Sequence, residues 1–589
     1  MYALLCLSAV AASENLLVNP SFEQGLDGWK RNAENVSYAG VEVDGRSAAC
    51  LTVPPETPVS WPHLRQEVAA EPGDIFETRL EAMGQGVRDG FGVYCALEYL
   101  DASGKRLSFT QTSSLGKDDA WVGLHLRSVV PPKAVAIRLC LILNGHGEAY
   151  FDNVSLERTG TVSIRPLEGP VTLSVTNEVV CDSLIGFGAE DDGWFYNAEN
   201  ASHGVTEADI EVREQRIAWM DPDWTRMFCW YKDWNPSGDW ETFDFDTDNM
   251  RSHYRTLDLY QRIGTVVNLT GVEWGVEDPY GTPGKTAHAI GALFEHLVRT
   301  KGYTCVQEWT LTNEPNGAFA ARMGYSFDRF VDLHALVHEE FDLRGLNVRI
   351  VGSDDTAGFP WFTQCVESER YAGLVDYFAS HRYFPYSDRV LAPFFFRDRL
   401  DLMAACGVRK PFAVAEFGFQ DARSGVMDNP IMEDYPYAVW STAFILEGLN
   451  LGVAGFSIWC MSEVYYPGGG FMNYGLWDFK DNAWSPRPVY HAVAAFMRHT
   501  ERGDTVRRCV SSHPGHVLGA VVNDTLFWVN RSDEAASVHI DGLSGEKVRI
   551  MTEATIEGDR ECGTIVELRE GSFEAPPQSF GFVRSHKGA

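Results

Sequence analysis

The chain has 589 residues, of which 45% are hydrophobic and 22% charged, as is usual for a globular protein, so a collagen-like or wholly disordered chain is excluded. Its 82 acidic residues outnumber its 49 basic residues, which gives a formal net charge of −33. A surface this acidic repels phosphate backbones, so we expect no nucleic-acid partner. Aromatic residues reach 12% and include 17 tryptophans. Flat rings that stack on sugar faces are one explanation for this surplus.

The first 13 residues combine an apolar run with the small-residue site Ala9-Val10-Ala11 and are similar to a remnant of a signal peptide. They lack the usual positive start, so a truncated gene start or a buried strand is the alternative. We expect a secreted, periplasmic or cell-surface protein. No later stretch approaches the roughly 18 consecutive apolar residues of a membrane-spanning helix, so no transmembrane segment is expected.

Two regions of the chain have the sequence pattern of antiparallel β-structure. Residues 14–160 contain short alternating runs such as 91–97, separated by turn residues, which predicts an antiparallel sandwich. A stretch with Pro and Gly at 164–170 marks its end. Residues 501–589 return to short strands and predict a small β-sandwich.

Residues 171–500 alternate strand-like runs with helical patterns, which indicates parallel β/α units. Eight strand-like runs occur here, near 184–189, 224–229, 265–269, 306–311, 348–352, 377–380, 412–415 and 455–459. Eight such units predict a (β/α)8 TIM barrel. The predicted fold is therefore multidomain, with this barrel between two β-domains.

Functional groups of a (β/α)8 barrel lie at the carboxyl ends of its strands. The fourth run ends in Thr312-Asn313-Glu314-Pro315 and the seventh in Ala415-Glu416-Phe417-Gly418, so two carboxylates face each other across the barrel mouth. Glycosidic cleavage needs such a pair, one carboxyl to protonate the leaving oxygen and one to attack or stabilise the anomeric centre. Asn313 is expected to hydrogen-bond a sugar hydroxyl.

These two motifs resemble the acid/base and nucleophile motifs of clan A retaining glycoside hydrolases. The resemblance covers residues 171–500 and implies that Glu314 is the general acid/base and Glu416 the nucleophile, with carboxyls about 5–5.5 Å apart. It implies that Arg226 braces the nucleophile. It further implies that Tyr383, in His381-Arg382-Tyr383, bonds the nucleophile and that Trp459 floors the sugar site.

At family level the resemblance is divided among families 5, 30 and 39. The opening Ile185-Gly186-Phe187-Gly188-Ala189 is more similar to families 30 and 39. Asn268 stands in the third strand, which ends in a His in cellulase-like family 5. We include His381 and Asn268 among the residues expected to bind substrate.

Thirteen of the 17 tryptophans lie in the barrel region. Trp194, Trp230 and Trp274 follow predicted strands and are expected to stack on a glycan, unless they only seal loops onto the barrel. Acidic residues 190–192 follow the first strand and are expected either to bind sugar hydroxyls or to form a solvated loop.

The N-terminal region resembles jelly-roll carbohydrate-binding modules of the family 4/9/16 type, through Asn15–Glu23 and Ala149–Ser155. That resemblance implies a structural calcium, with Glu23 and Asp152 as oxygen ligands. No cofactor is expected for catalysis.

The sequence therefore predicts an exported retaining β-glycoside hydrolase whose partner is a β-linked polysaccharide or oligosaccharide. Endo action is expected from the loop aromatics and the appended module. An exo-acting β-xyloside or β-glucoside type of enzyme is the alternative, and a non-catalytic glycan-binding protein is a third reading.

Overall fold

The computed structural model describes residues 14–112, 114–115, 120–161, 167–273, 276, 278–316, 326–356 and 359–585. In these residues the chain forms an N-terminal antiparallel sheet, a closed parallel barrel and a C-terminal sheet. Each of the three has its own cluster of buried apolar side chains. Across the same ranges, no helix has both the length and the apolarity that crossing a membrane requires.

The N-terminal sheet consists of eight strands, and each strand pairing in it is antiparallel. Its strands are Lys30–Arg31, Ser37–Val43, Arg46–Val53, His63–Ala69, Asp74–Leu100, Arg106–Gln111, Val122–Val129 and Ala136–Thr161. The two longest strands, Asp74–Leu100 and Ala136–Thr161, pair with each other along most of their length. The alternating runs of the sequence thus correspond to antiparallel strands.

Eight parallel strands close into a barrel, as predicted. In chain order these barrel strands are Gly186–Asp192, Trp224–Trp230, Val266–Val272, Val306–Thr310, Arg349–Thr356, Tyr377–Pro385, Phe412–Gln420 and Gly455–Ile458. The eighth strand pairs with the first, Gly455 with Gly186, which completes the ring. All eight strands run in one direction, so their carboxyl ends meet at one mouth.

Helices follow the barrel strands and cover the outside of the barrel. The α-helices among the described residues are Ala198–Ser202, Glu207–Met220, Tyr231–Trp234, Asp248–Ile263, Pro283–Glu295, Phe327–Leu343, Phe359–Glu367, Glu369–Leu374, Ala392–Ala405, Tyr435–Leu451 and Pro488–His499. The helix Phe327–Leu343 begins after Ser326, whose side chain accepts from the backbone N–H of Arg329. The helix Tyr435–Leu451 ends at Gly452, where a φ of 97° favours glycine.

The C-terminal sheet has nine strands, one of which comes from before the barrel. The strands are Val171–Cys181, Val506–Ser511, Val517–Val522, Thr525–Asn530, Ala536–Asp541, Lys547–Met551, Thr564–Glu567, Ser572–Ala575 and Ser579–Arg584. The sequence analysis assigned residues 171–181 to the barrel. They belong to this sheet instead, because Val171–Cys181 pairs with Val506–Ser511 and Ala536–Asp541.

Both flanking sheets pack directly on the barrel. On the C-terminal side, the rings of Phe496 and Phe527 stack with centroids 4.5 Å apart. On the N-terminal side, Asp388 accepts hydrogen bonds from the Ser128 hydroxyl at 3.3 Å and the Val129 N–H at 3.4 Å. The barrel mouth is therefore carried by a scaffold that is supported on two sides.

Candidate active site

Glu416 lies near the middle of the seventh barrel strand and is held by two donors. Its side chain is buried, and its Oε1 lies 2.5 Å from Nη1 of Arg226. The Tyr383 hydroxyl donates to Oε2 at 3.0 Å. Both carboxyl oxygens are thereby fixed in position, as a group that attacks a single carbon atom requires.

Arg226, on the second barrel strand, connects three elements of the site. Its fully buried guanidinium also donates through Nη2 to Oδ1 of Asn313 and to Oδ2 of Asp354, each at 2.7 Å. Burial disfavours the charged form of Asp354, but the charges of Arg226 and His381 outweigh burial and lower its pKa. The bracing role that the resemblance gave to Arg226 fits these contacts.

His381 lies between the two predicted catalytic carboxyls. Its Nδ1 is 3.0 Å from Oε1 of Glu314 and 3.5 Å from Oε1 of Glu416, and its Nε2 is 3.0 Å from Oδ1 of Asp354. Burial alone would lower the pKa of His381, but the charges of Glu416 and Asp354 outweigh it and raise the pKa to about 10. Both ring nitrogens of His381 therefore lie within reach of carboxyl oxygens.

Glu314 follows the fourth barrel strand, and its side chain is 25% exposed, far more than that of Glu416. One oxygen of each of these two carboxyls and one nitrogen of His381 all lie within 4.8 Å of one another. Burial raises the pKa of Glu416, whereas His381 and Arg226 act in the opposite direction and favour its carboxylate form. One carboxyl thus faces the barrel mouth while the other lies buried behind it.

The tryptophans predicted to stack on a sugar lie in different parts of the barrel. Trp459 directly follows the eighth strand, with its ring centroid 5.1 Å from that of Phe228 and its Nε1 3.3 Å from the sulfur of Met472. Trp230 is half-buried at the end of the second strand. Trp274 lies outside the described residues.

Two residues predicted to bind sugar are core residues instead. Trp194 is fully buried, and its Nε1 donates to Oδ2 of Asp233 at 2.9 Å. Asn268 is fully buried inside the barrel, and its amide donates to the Thr310 hydroxyl at 3.0 Å. Both polar groups are thus satisfied within the protein.

One site residue, Asp354, was missed by the sequence reasoning. It lies on the fifth strand, where the apolar run Ile350-Val351 gives way to polar residues. The same signal identified Glu314, so applying the strand-end rule to the fifth run would have found Asp354 as well.

A second group of side chains has the composition of a metal site. Ligand atoms of Cys229, Asp233 and His253 lie within 4.8 Å of one another in the interior. Oδ2 of Asp233 already lies 2.8 Å from Nε2 of His253 and accepts from Trp194. Since this carboxylate is satisfied by protein donors, the group is a hydrogen-bonded support for the helix Asp248–Ile263.

The two predicted calcium ligands, Glu23 and Asp152, belong to the N-terminal region. The charge of Glu23 contributes to a raised pKa of Asp152, although burial is the larger cause. Carboxylate oxygens are the ligands that Ca²⁺ prefers. Arg46 lies 3.9 Å from Asp152 and 2.9 Å from Glu81, so a guanidinium already neutralises part of this acidic group.

No protein-family model matches the sequence, and no curated protein matches it either. Solved structures match it in fold. The catalytic domain of GH30 xylanase C from Talaromyces cellulolyticus is 11% identical with a TM-score of 0.51, over 71% of this chain and 100% of that chain. The endo-beta1,6-glucanase BT3312 is 12% identical with a TM-score of 0.51, over 84% and 100%.

A GH39 beta-xylosidase from Caulobacter crescentus is 13% identical with a TM-score of 0.50, over 70% of this chain and 99% of that chain. At such identities a match establishes the fold alone. The chain therefore shares the (β/α)8-barrel fold of these glycoside hydrolase structures.

Proposed function

We propose that this protein is a retaining β-glycoside hydrolase that acts on a β-linked polysaccharide or oligosaccharide. The observation that carries the proposal is the approach of carboxyl oxygens of Glu314 and Glu416 to within 4.8 Å. Retaining enzymes hold their two carboxyls about 5–5.5 Å apart, whereas inverting enzymes leave about 6.5–9.5 Å for a water molecule. An approach of the nearest oxygens to within 4.8 Å leaves little room for that water molecule, which favours double displacement.

In the first step, a carboxylate oxygen of Glu416 attacks the anomeric carbon while Glu314 gives its proton to the leaving glycosidic oxygen. A covalent glycosyl-enzyme forms as the bond to the leaving group breaks. In the second step, Glu314 takes a proton from a water molecule, which attacks the anomeric carbon and releases Glu416.

The neighbouring residues orient the nucleophile and the sugar. Arg226 and Tyr383 hold both oxygens of Glu416, and they favour its carboxylate form and fix its direction. Asn313 uses its Oδ1 to accept from Arg226, so its amide N–H groups are the donors that it would offer to a sugar hydroxyl. Trp459 supplies an apolar surface under the ring.

The test follows the anomer that is released first. Early β-anomer in proton NMR, from the wild type acting on a β-linked substrate, would support retention. Glu416→Gln should abolish turnover while glycan binding persists, since the amide keeps the size of the side chain but is a poor nucleophile. Glu207→Gln is the matched control, because the Glu207 side chain is 78% exposed on a barrel helix. Full activity of Glu416→Gln would refute the mechanism.

We propose endo action, as the loop aromatics and the appended N-terminal domain favour a long substrate. Exo action on β-xylosides or β-glucosides is the alternative, and it predicts monosaccharide as the sole early product. Oligosaccharides of mixed length would support the endo reading. Glycan binding without turnover in the wild type would favour the non-catalytic alternative.

Three further assignments belong to this proposal. The N-terminal sheet acts as a carbohydrate-binding module, Glu23 and Asp152 hold a structural calcium, and the protein is exported. Catalysis itself uses protein side chains, without a cofactor.

A further inference from the structure

The sixth barrel strand carries polar residues on both of its faces. His381 faces the barrel interior, where its ring contacts Glu314 and Asp354. Successive side chains of a strand point to opposite faces, so Ser380, directly before His381, points to the outer face. Ser380 is fully buried, and its hydroxyl donates to Oδ1 of Asp355 at 2.6 Å. The outer face of the strand is thus bonded to the neighbouring fifth strand.

The fifth strand has the same division between its two faces. Asp354 accepts from Arg226 inside the barrel, whereas Asp355 accepts from Ser380 on the outside. The pairing with the sixth strand shifts register between Ser353 and Asp355, and the φ values of Ser353 and Asp354 are 58° and 47°. Such a bulge re-aims a side chain, here that of Asp354. Left-handed backbone is unfavourable for these residues, so contacts of their neighbours must hold it in place.

Arg399 connects the outer faces of these two strands. It lies on the helix Ala392–Ala405 and is 3% exposed. Its Nε donates to the Ser380 hydroxyl at 2.9 Å, and its Nη2 donates to Oδ2 of Asp355 at 3.0 Å. The donors of a planar guanidinium are fixed relative to one another. Arg399 therefore fixes the positions of Ser380 and Asp355 relative to each other.

The inner neighbours of this outer pair are residues of the candidate active site. His381 follows Ser380 in the sequence, and Asp354 precedes Asp355. Nε2 of His381 lies 3.0 Å from Oδ1 of Asp354. The same two strands are therefore joined twice, by Ser380 and Asp355 outside and by His381 and Asp354 inside. A displacement of the outer pair would move the inner pair with it.

The N-terminal sheet contacts the helix that carries Arg399. The guanidinium carbon of Arg127, in this sheet, lies 4.1 Å from the centroid of the Phe394 ring. Its Nη1 lies 3.5 Å from Oδ2 of Asp398, the residue directly before Arg399. Both contacts lie on the one helix, so the sheet supports Arg399 from outside the barrel.

We propose that Arg399 is a positioning residue of the candidate active site, which holds His381 and Asp354 in place through Ser380 and Asp355. The N-terminal sheet stabilises this arrangement through Arg127, a role separate from the carbohydrate binding proposed for it above. The inference rests on the proposed function, because it concerns the placement of the groups that would act on the glycosidic bond.

The first test measures kcat and KM of the full-length variants on a soluble 4-nitrophenyl β-glycoside that the wild type hydrolyses. Arg399→Met should lower kcat about 10- to 100-fold with KM within about twofold, because a shift of roughly 1 Å at reacting groups costs about 100-fold in rate. Arg399→Lys keeps the charge without the planar fork, so it should recover stability more than kcat. Equal recovery of both would overturn the positioning role.

Arg531→Met is the matched control. Arg531 is also buried, and its Nη1 donates to Oε1 of Glu447 at 2.7 Å where the C-terminal sheet meets the barrel. Glu447 lies near the end of the helix Tyr435–Leu451, which precedes the eighth strand and so ends away from the barrel mouth. Arg531→Met should therefore lose stability and keep the kcat of the wild type. Wild-type kcat in Arg399→Met, or equal losses of kcat in both variants, would overturn the proposal.

Two milder changes test the route through which Arg399 acts. Ser380→Ala should lower kcat by itself, and it covers the case in which Arg399→Met does not fold. The double variant should lose less kcat than the product of the two single losses, since the two residues share one contact. A loss equal to that product would overturn the route through Ser380. Arg127→Met should lower kcat about 2- to 5-fold, because a partly exposed ion pair contributes little, and an unchanged kcat would overturn the role of the N-terminal sheet.

A readout that needs no turnover separates this inference from the proposed function. In protein labelled with 15N-histidine, the NMR signal of His381 is the one that is absent from His381→Asn. Arg399→Met should shift this signal, whereas Arg531→Met should leave it in place. A signal that does not move in Arg399→Met would overturn the inference. A wild type that cleaves no glycoside would remove the proposed function, and the shift would still show that Arg399 positions His381.

Discussion

The imidazole Nδ1 of His381 lies 3.0 Å from a carboxyl oxygen of Glu314. The proposed acid/base is thus tied to a buried histidine whose pKa the neighbouring carboxylates raise to about 10. Because the same ring also contacts Asp354, both of its nitrogens act as donors in the charged form. In that form the ring connects Glu314 with Asp354.

This charge should make stability depend on pH in a defined window. The pKa of His381 is raised from 6.5 to about 10, so the folded state binds a proton that the unfolded state has released. Its stabilising contribution is complete below about pH 6.5 and disappears as the pH rises through about 10. His381→Asn should lower the Tm most at pH 6.5, and the gap to wild type should shrink by about 4 °C or more by pH 10. Scanning calorimetry measures both, and a gap that does not vary with pH would contradict this.

The guanidinium of Arg226 should matter for both folding and rate. Arg226→Met leaves Glu416 and Asp354 buried beside an apolar side chain, which costs about 3–5 kcal/mol of unfolding free energy. We expect kcat to fall by about 1000-fold or more, because the nucleophile loses a donor and its orientation. Arg226→Lys is the informative comparison, since it keeps the charge without the planar fork.

Arg226→Lys should therefore recover more of the stability than of the activity. Chemical denaturation and initial rates, measured on the same preparations, provide both numbers. Equal recovery of stability and kcat would show that the charge alone matters.

Strand-end residues could be predicted from the sequence because the rule is local. Glu314 stands where an apolar run gives way to polar residues, whereas Glu416 interrupts the apolar run of its strand. A closed parallel barrel brings the carboxyl ends of all its strands to one mouth. The eight-unit alternation fixed the fold for the same reason. For these predictions, the residues directly next to each position in the sequence carried enough information.

Burial of single side chains depends on distant partners and was not predictable. Trp194 is a core residue because Asp233, 39 positions further on, accepts its Nε1–H. Residues 171–181 belong to the C-terminal sheet because their partner strand lies more than 300 residues away, at 506–511. Neither the contact of Trp194 with Asp233 nor the pairing of residues 171–181 with 506–511 can be inferred from the local periodicity of the sequence.

Calcium should stabilise the N-terminal sheet if Glu23 and Asp152 hold it. Saturating Ca²⁺ at about 100 times its Kd would add about 2.7 kcal/mol of unfolding free energy, and EGTA would remove this gain. Glu23→Gln should abolish the response, whereas Glu34→Gln, at an exposed position, should leave it intact. Thermal melts with and without Ca²⁺ test this. A wild type whose melting temperature responds to neither Ca²⁺ nor EGTA would refute the calcium proposal.

We expect Glu308 to contribute to the stability of the protein but not to its catalytic rate. It lies near the start of the fourth strand and is fully buried, with the Trp224 Nε1 at 3.0 Å, the Tyr377 hydroxyl at 2.6 Å and Nη2 of Arg502 at 2.7 Å. Glu308→Ala leaves these donors unpaired and should lower the unfolding free energy by about 3–5 kcal/mol. Glu308→Gln keeps an acceptor for the two neutral donors and should lose less.

The catalytic carboxyl Glu314 lies six residues beyond Glu308, up to about 20 Å along the strand direction. At 25 °C the kcat of the folded Glu308→Gln protein should therefore equal that of the wild type within about twofold, since no contact of the site changes. Denaturant titrations and initial rates decide the point. A large loss of kcat with normal stability would contradict this prediction. It would mean that the Arg502–Glu308 contact, near the start of the fourth strand, affects the carboxyls at the barrel mouth.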